Sequence, residues 1–287
     1  MRRGGPVPIK GVIVAAGYGT RLLPVTRVVP KELLPLVDRP CLSSVVEEFA
    51  AAGVEELLII GSRRKRTLED WFDHDPELEA ALAGSPRLPL AQPPRMRATF
   101  VRQAKMGGTG DALLLAREFA GSDPVLVAYP DDLFEPPGAA VELVNVWRQT
   151  GTSVLSAAPI AGDVSRYGVL DVEEGPTGLV VRRIIEKPAP GTEPSNIVSL
   201  GRYLYTPELF DALERHKPAT SKGEYYPMDA TNELAAQGRM HAAIVAATRY
   251  DTGSALGYAQ AFILHALARP DLGPELRAWL ASLSATT

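Results

Sequence analysis

Cysteine is almost absent from this chain of 287 residues, which carries one, Cys41. A lone thiol excludes any disulfide within the chain and removes the usual mark of an oxidising compartment, so a cytoplasmic location is expected. Histidine is scarce too. His74, His216, His241 and His265 are scattered, and with a single cysteine they give no zinc-type ligand spacing. No uninterrupted apolar run approaches the roughly 20 residues of a membrane span, so no membrane partner is expected. The first apolar run, residues 11–16, follows Arg2, Arg3 and Lys10, but it is shorter than the apolar segment of a secretory leader and continues directly into a glycine motif. Basic charge is not in excess either: 30 Lys plus Arg against 34 Asp plus Glu give a net charge of −4. Such a surface repels a phosphate backbone on average, which argues against a nucleic-acid polymer as partner and leaves room for a local anion site.

What is present is ordinary in bulk and patterned in detail. Gly and Pro number 25 each, short of a disordered or collagen-like composition. Residues 11–16 are continuously apolar and rich in β-branched side chains, as a strand buried on both faces of a parallel sheet would be. Residues 41–52 show helical spacing of Val45, Val46 and Phe49, end at Gly53 and lead into a second apolar run at 56–60, so a βαβ rhythm begins. The same reasoning predicts helices at 66–72, 76–82, 110–119, 139–150, 208–215, 228–237, 256–268 and 274–283, and strands at 98–102, 124–129, 153–159, 199–205 and 241–247. Residues 168–172 and 179–186, broken by turn residues at 174–178, read as an inserted β-hairpin. The expected architecture is one α/β domain over 1–287 with a mixed, mostly parallel sheet, a core at about 8–253 and a C-terminal helical segment at 254–287.

The segment Ala15-Ala-Gly-Tyr-Gly-Thr-Arg21 sets Gly17 and Gly19 directly after the buried strand, where bare amides can approach a phosphate closely. It is neither of the two familiar glycine motifs. Leu22 stands where a dinucleotide fingerprint needs Gly or Ala, and no Gly-Lys-Ser or Gly-Lys-Thr occurs in the chain. Arg21 and Lys31 instead put two cations on one long loop, Arg able to fork across two oxygens and Lys acting as a point charge on a polyphosphate; a solvated loop with flanking charges is the plainer reading. Asp131 follows the strand at 124–129, and ligands gather at the carboxyl ends of such strands. Asp132 competes with it, and both can be turn residues in water. Gln103 reads equally as a strand-end surface residue, and Glu186 with Lys187 as a surface charge pair. Pro188 is expected to hold Lys187 extended. The basic run Arg63-Arg-Lys-Arg66, flanked by acids, reads as a solvated helix start.

Taken together, Gly17-Tyr-Gly-Thr-Arg-Leu-Leu-Pro24, Thr26, Pro30-Lys-Glu-Leu-Leu-Pro-Leu36 and Asp38-Arg-Pro40 resemble the signature of bacterial UTP-glucose-1-phosphate uridylyltransferases, within the sugar-1-phosphate nucleotidyltransferases. The likeness continues in order through Gln103, Gly108-Thr-Gly110, Pro130-Asp131, Tyr167-Gly-Val169, Glu186-Lys-Pro188, Pro194-Ser-Asn196, Gly201-Arg-Tyr203 and Tyr250-Asp-Thr-Gly253. The resemblance implies a Rossmann-like sheet of the nucleotidyltransferase and glycosyltransferase-A type, and a reaction in which a sugar 1-phosphate oxygen attacks the α-phosphorus of a nucleoside triphosphate and expels pyrophosphate. A phosphate monoester, with a second pKa of about 6, is already largely a dianion at neutral pH. No general base is required, which accords with the lack of a Ser/His/Asp or Cys/His arrangement; the work is to position two anions and cancel their repulsion.

By the same resemblance, Arg21, Lys31 and Lys187 are the catalytic cations, and Asp131 with Asp251 holds Mg2+. Ala15, Ala16, Gly17, Gly19, Thr20, Gln103 and Gly108 bind the nucleotide, and Asp132, Gly168, Glu186, Lys187 and Gly201 the sugar phosphate. Gln103 would read a pyrimidine, since an amide matches the imide edge of uracil or thymine. UTP and glucose 1-phosphate are the expected substrates and a dimer or tetramer the expected assembly. Thymidine triphosphate, another sugar phosphate, or a non-catalytic nucleotide-sugar regulator are the alternatives. Two departures stand out. Asp111 occupies a usual His position, and Gly223-Glu-Tyr-Tyr-Pro-Met-Asp229 replaces an acidic-Glu-aliphatic-Gln-aliphatic-Thr-Asp run near the sugar, so that Tyr225 and Tyr226 either reshape the sugar subsite or pack at a subunit contact.

Overall fold

A computed structural model describes residues 7–219 and 223–284; Arg2, Arg3 and the end of the expected C-terminal segment lie outside the described residues. The chain opens with β1 (Lys10–Val14), then a long loop of single helical turns that closes on a small hairpin, β2 (Pro35–Leu36) and β3 (Arg39–Pro40). Next come α1 (Cys41–Ala51), β4 (Glu56–Gly61), α2 (Thr67–Phe72), α3 (Pro76–Ala81) and β5 (Arg97–Arg102). The span expected as one helix at 110–119 is two, α4 (Thr109–Leu114) and α5 (Arg117–Ala120), because Leu115 and Ala116 tighten into turns, donating to Ala112 and Leu113 three residues back.

β6 (Val125–Ala128) is followed at once by β7 (Asp132–Glu135), then α6 (Ala139–Thr150) and β8 (Ser153–Pro159). The inserted hairpin is β9 (Gly168–Gly175) and β10 (Gly178–Glu186). β11 (Ile197–Tyr205), α7 (Glu208–His216), α8 (Met228–Ala236) and β12 (Met240–Ile244) complete the alternation. The strand expected at 241–247 stops at Ile244, and a further strand, β13 (Thr248–Asp251), precedes α9 (Ala255–Ala268) and α10 (Gly273–Ser284).

Among the described residues nine strands form one sheet in the order β5-β4-β1-β6-β11-β8-β12-β10-β9. β10 and β11 run against the other seven, so the sheet is mixed. The continuous apolar run of β1 is explained by its central place: Val12 faces one layer with Leu58, Val127 and Leu209, whereas Ile13 faces the other with Phe49, Leu126 and Leu143. Helices α1 and α6 supply one layer, and α4, α7 and α8 the other. β7 and β13 form a separate antiparallel ribbon that sets Asp251 opposite Asp132. The parallel strands β5, β4, β1 and β6 therefore end together at one edge of the sheet, and the ribbon stands over it.

Candidate active site

At that edge β1 hands over to the glycine loop. Ala15 and Ala16 are buried, and the Ala15 N–H still donates to Ile60 O at 2.8 Å, so the loop departs from a fixed point. Gly19 adopts φ 68°, where a side chain would be strained, and its carbonyl accepts from Thr26 Oγ1 at 2.9 Å. That turn presents Thr20 and Arg21, a second spans Val25–Arg27, and Lys31 opens a third at Lys31–Leu33.

Of the five charged residues expected to act together, Arg21, Lys31, Asp131 and Asp251 meet, whereas Lys187 lines a neighbouring cavity. Lys31 Nζ lies 2.5 Å from Asp131 Oδ2. Arg21 forks onto Asp251, Nη1 to Oδ2 at 2.7 Å and Nη2 to Oδ1 at 3.3 Å, and Nη2 also lies 3.6 Å from Asp131. Gly253 is the meeting point: a Cβ there would stand 2.5 Å from Asp131 Oδ2 and 3.0 Å from Asp251 Oδ1. The neighbouring Thr252 N–H donates to Asp131 O at 2.8 Å, tying the ribbon end to the end of β6. Burial opposes ionisation of Asp131, but the adjacent Lys31 ammonium and Arg21 outweigh it and hold its carboxyl below the ordinary value.

Asp132 behaves differently. It is buried and its Oδ1 accepts from Arg249 Nε at 2.8 Å. Burial is the main cause of a pKa pushed up to about 6, aided by the Asp131 charge and opposed by Arg249. Gly201 covers it at φ 86°, where β11 bulges, and a Cβ there would stand 2.5 Å from Asp132 Oδ2. Beneath lies a buried Arg202, paired with Glu48 at 2.7 Å, donating to Asp132 O at 3.1 Å and set 4.8 Å over the Phe134 ring. Sequence reasoning missed Glu48 and Arg249, and gave no role to Arg202 although it stands in the motif Gly201-Arg-Tyr203.

Gln103 is buried at the end of β5, and its side-chain nitrogen donates to Gly108 O at 3.0 Å and Asp111 Oδ2 at 3.1 Å. Both partners can only accept, which fixes the amide orientation and leaves Oε1 as the group offered to a ligand. Gly108 has φ 92°, and a Cβ there would collide with the Tyr225 backbone. Gly17, Arg21, Lys31, Gln103, Asp131 and Asp251 all line one cavity of about 440 Å³.

A second cavity, of about 480 Å³, shares Thr109 and Tyr129 with the first and carries Glu186, Lys187 and Tyr226. Glu186 reaches to within 3.2 Å of where a Cβ on Gly168 would be. Lys187 Nζ lies 3.6 Å from Glu186 Oε1, with both side chains more than half exposed. The expectation that Pro188 keeps Lys187 extended is corrected: Lys187 has φ 48°, held there as its N–H donates to Tyr167 O at 2.9 Å. A lysine in the left-handed region is uncommon, and at a cavity rim it marks a side chain aimed by its backbone.

The basic run at 63–66 is also corrected. Lys65 is buried and bonds Glu32 at 2.6 Å, a pair hidden beneath the glycine loop whose signal was Glu32 beside Lys31. Burial lowers the Lys65 pKa and raises that of Glu32. Tyr225 is buried against Gly110 and donates to Leu213 O at 2.8 Å, while Tyr226 is largely exposed and lines the second cavity.

Fold and site together define a nucleotidyltransferase. The model of the family Nucleotidyl transferase matches residues 10–266, and the chain belongs to this family. The UTP–glucose-1-phosphate uridylyltransferase of Staphylococcus epidermidis is 36% identical over 283 residues, 96% of this chain and 98% of the relative. That of Staphylococcus haemolyticus is 37% identical over 275 residues, 93% and 95% of the two chains. A UTP-bound UGPase from Acinetobacter baumannii superposes with a TM-score of 0.87 at 28% identity, covering 96% of this chain and 99% of that one. A UDP-glucose pyrophosphorylase complexed with UDP-glucose does so with a TM-score of 0.78 at 34% identity, covering 91% and 100%.

Proposed function

We propose that this chain transfers the uridylyl group of UTP to glucose 1-phosphate, releasing pyrophosphate. The observation that carries this reading is the convergence of Asp131, Asp251 and Arg21 on Gly253, with Lys31 on Asp131, all four charged groups lining one cavity with Gln103. The Gln103 oxygen would accept from the imide N–H of uracil, with Gly108 bare beside it. Ala15, Ala16, Gly17, Gly19 and Thr20 would pass the phosphates along backbone amides. Arg21 and Lys31 would turn from the carboxylates onto the triphosphate and the departing pyrophosphate.

No cluster of three or more His, Cys, Asp or Glu side chains able to hold a metal occurs among the described residues, but two carboxylates on one spot suit a small hard cation that otherwise keeps water and phosphate oxygens. Asp131 and Asp251 would hold Mg2+, which when bound supplies charge neutralisation for the triphosphate. Lys187 would hold the attacking phosphate, and Glu186 would accept from sugar hydroxyls. Gly168, Gly201 and the Asp132 pair with Arg249 would shape the floor. We read the parallel half β5-β4-β1-β6 as Rossmann-like, residues 8–253 as the catalytic body of one domain, and residues 254–287 as an appended segment. A cytoplasmic homo-oligomer, dimer or tetramer, fits the lone cysteine and the exposed Leu256 and Trp279 of α9 and α10.

Thymine shares the imide edge that Gln103 addresses, so thymidine triphosphate is the second reading. A non-catalytic sensor has no use for both ion pairs. The test is pyrophosphate release across a panel of triphosphates and sugar 1-phosphates with Mg2+. UTP with glucose 1-phosphate is expected to be fastest, and Asp131→Ala and Asp251→Ala are expected to lose turnover by about 10²–10³-fold while keeping the fold. Full turnover in both variants removes these acids from the mechanism.

A further inference from the structure

The segment 223–229 departs from the run expected near the sugar, and the proposed reaction uses little of it. Its middle residue is anchored. Tyr225 N–H donates to Gly107 O at 2.7 Å, Gly110 N–H donates to Tyr225 O at 2.8 Å, and the ring packs on Gly110. With Tyr225 turned inward, its neighbours serve different cavities: Glu224 lines the nucleotide cavity and Tyr226 the second one, and the Tyr226 hydroxyl donates to Glu224 across the divide.

The second cavity is walled by rings. Tyr203 and Tyr205 stack with centroids 5.3 Å apart, and Tyr129 meets Tyr203 edge-on at 6.4 Å. Two of their hydroxyls are already engaged: Tyr203 with Ser199 Oγ at 3.1 Å and Tyr205 with Thr231 Oγ1 at 3.2 Å. Tyr226 completes this wall with its own hydroxyl on Glu224. Glu186 and Lys187 are then the charged groups of the cavity left to meet a ligand.

We propose that Tyr226 is a specificity-determining residue of the sugar cavity, presenting a ring face to pyranose C–H groups so that hexose 1-phosphates lacking a hydroxyl are accepted. This rests on the uridylyl-transfer reading above and names the substrate class of the same site. A site built to hydrogen-bond a hydroxyl rejects the analogue lacking it by about 10⁴–10⁵, because its own polar groups are left unpaired, whereas an apolar wall discriminates by only about 10². Here the wall keeps its hydrogen bonds whether or not the sugar carries the hydroxyl. Gln, the residue expected at this position, would instead bring an amide seeking partners.

The experiment measures kcat and KM of the full chain with UTP, Mg2+ and glucose 1-phosphate or its monodeoxy analogues, in wild type, Tyr226→Phe and Tyr226→Gln. Wild type is expected to keep kcat/KM within about 10²-fold for every deoxy analogue except the one whose missing hydroxyl meets Glu186. Tyr226→Phe should retain these ratios. Tyr226→Gln should raise KM for the deoxy analogues about 10-fold more than for glucose 1-phosphate, with KM for UTP unchanged. Rejection of all deoxy analogues by about 10³ or more in wild type, or unchanged ratios in Tyr226→Gln, overturns the role of Tyr226 while leaving uridylyl transfer intact. Absence of turnover with every hexose 1-phosphate overturns uridylyl transfer itself, and this assignment with it.

Discussion

The two cavities meet at Thr109 and Tyr129 and are built on opposite principles. The nucleotide cavity is a set of charges held in place before any ligand arrives: Lys31 on Asp131, Arg21 on Asp251, and beneath them the buried Lys65 with Glu32. The sugar cavity is a set of rings with satisfied hydroxyls and one loosely associated charge pair at its rim. The difference matches the two substrates of the proposed reaction. Recognition of a polyphosphate is dominated by electrostatics, so charges gathered at one spot serve it; a sugar ring is met largely by shape. The rigid side carries long-range ties and bare glycines, whereas the sugar side carries the departure at Tyr226.

The largest effect should come from the hidden pair. Glu32→Gln leaves a buried ammonium without its counter-charge and is expected to cost about 3–5 kcal/mol of stability, while Glu32→Leu combined with Lys65→Met should recover most of it. Denaturant unfolding of the three forms checks this. If the single variant unfolds like wild type, the charges under the glycine loop are not what fixes it.

Next is Lys31→Met against Lys187→Met. The first should lower kcat by about 10²–10³ with little change in KM for the sugar phosphate, while the second should act mainly on that KM. Steady-state kinetics that reverse the two patterns would erase the division between the cavities.

The smallest effect concerns pH. Asp132, buried at the wall of the first cavity, has its pKa raised to about 6, so its neutral form is favoured by folding. Its contribution is fully present below the ordinary carboxyl range and is lost as pH rises through about 6. With about 1.4 kcal/mol per unit, the change is at most about 3 kcal/mol, a figure that already includes the opposing charge of Arg249. Asp131, held low by Lys31, acts in the other sense and loses its contribution as the medium turns acid. Asp132→Asn is therefore expected to flatten the decline in melting temperature between about pH 4 and pH 6, leaving the acid loss due to Asp131. An unchanged decline would mean that Asp132 ionises in the fold as it does in water.

Much of this was readable one residue after another. The β1 run, the break at Gly53 and the glycine loop follow from local rules, because an apolar run, a positive φ and a helix stop are each decided within a few residues. The ribbon of β7 and β13 was not readable: two strands of four residues have too little alternation to register, and their pairing is with each other. Lys65 was misread for a related reason. In a basic run beside acids nothing local distinguishes the one side chain that turns inward to meet Glu32, 33 positions away. Lys187 yielded to the hydrogen bond its own N–H gives to Tyr167 O, just before β9, which overrode the preference imposed by Pro188.

Sequence alone determined the α/β alternation and the place of the glycine loop with its charged residues, because strand burial and turn conformation are properties of short stretches. Only the tertiary structure decided which charges face which. Arg21 meets Asp251 across 230 positions and Lys31 meets Asp131 across 100, and partners that distant are selected by the closing of the sheet and its ribbon. Tertiary structure also decided that Tyr225 is a clamp and Tyr226 a wall, since two adjacent identical side chains differ only in the direction the anchored backbone gives them.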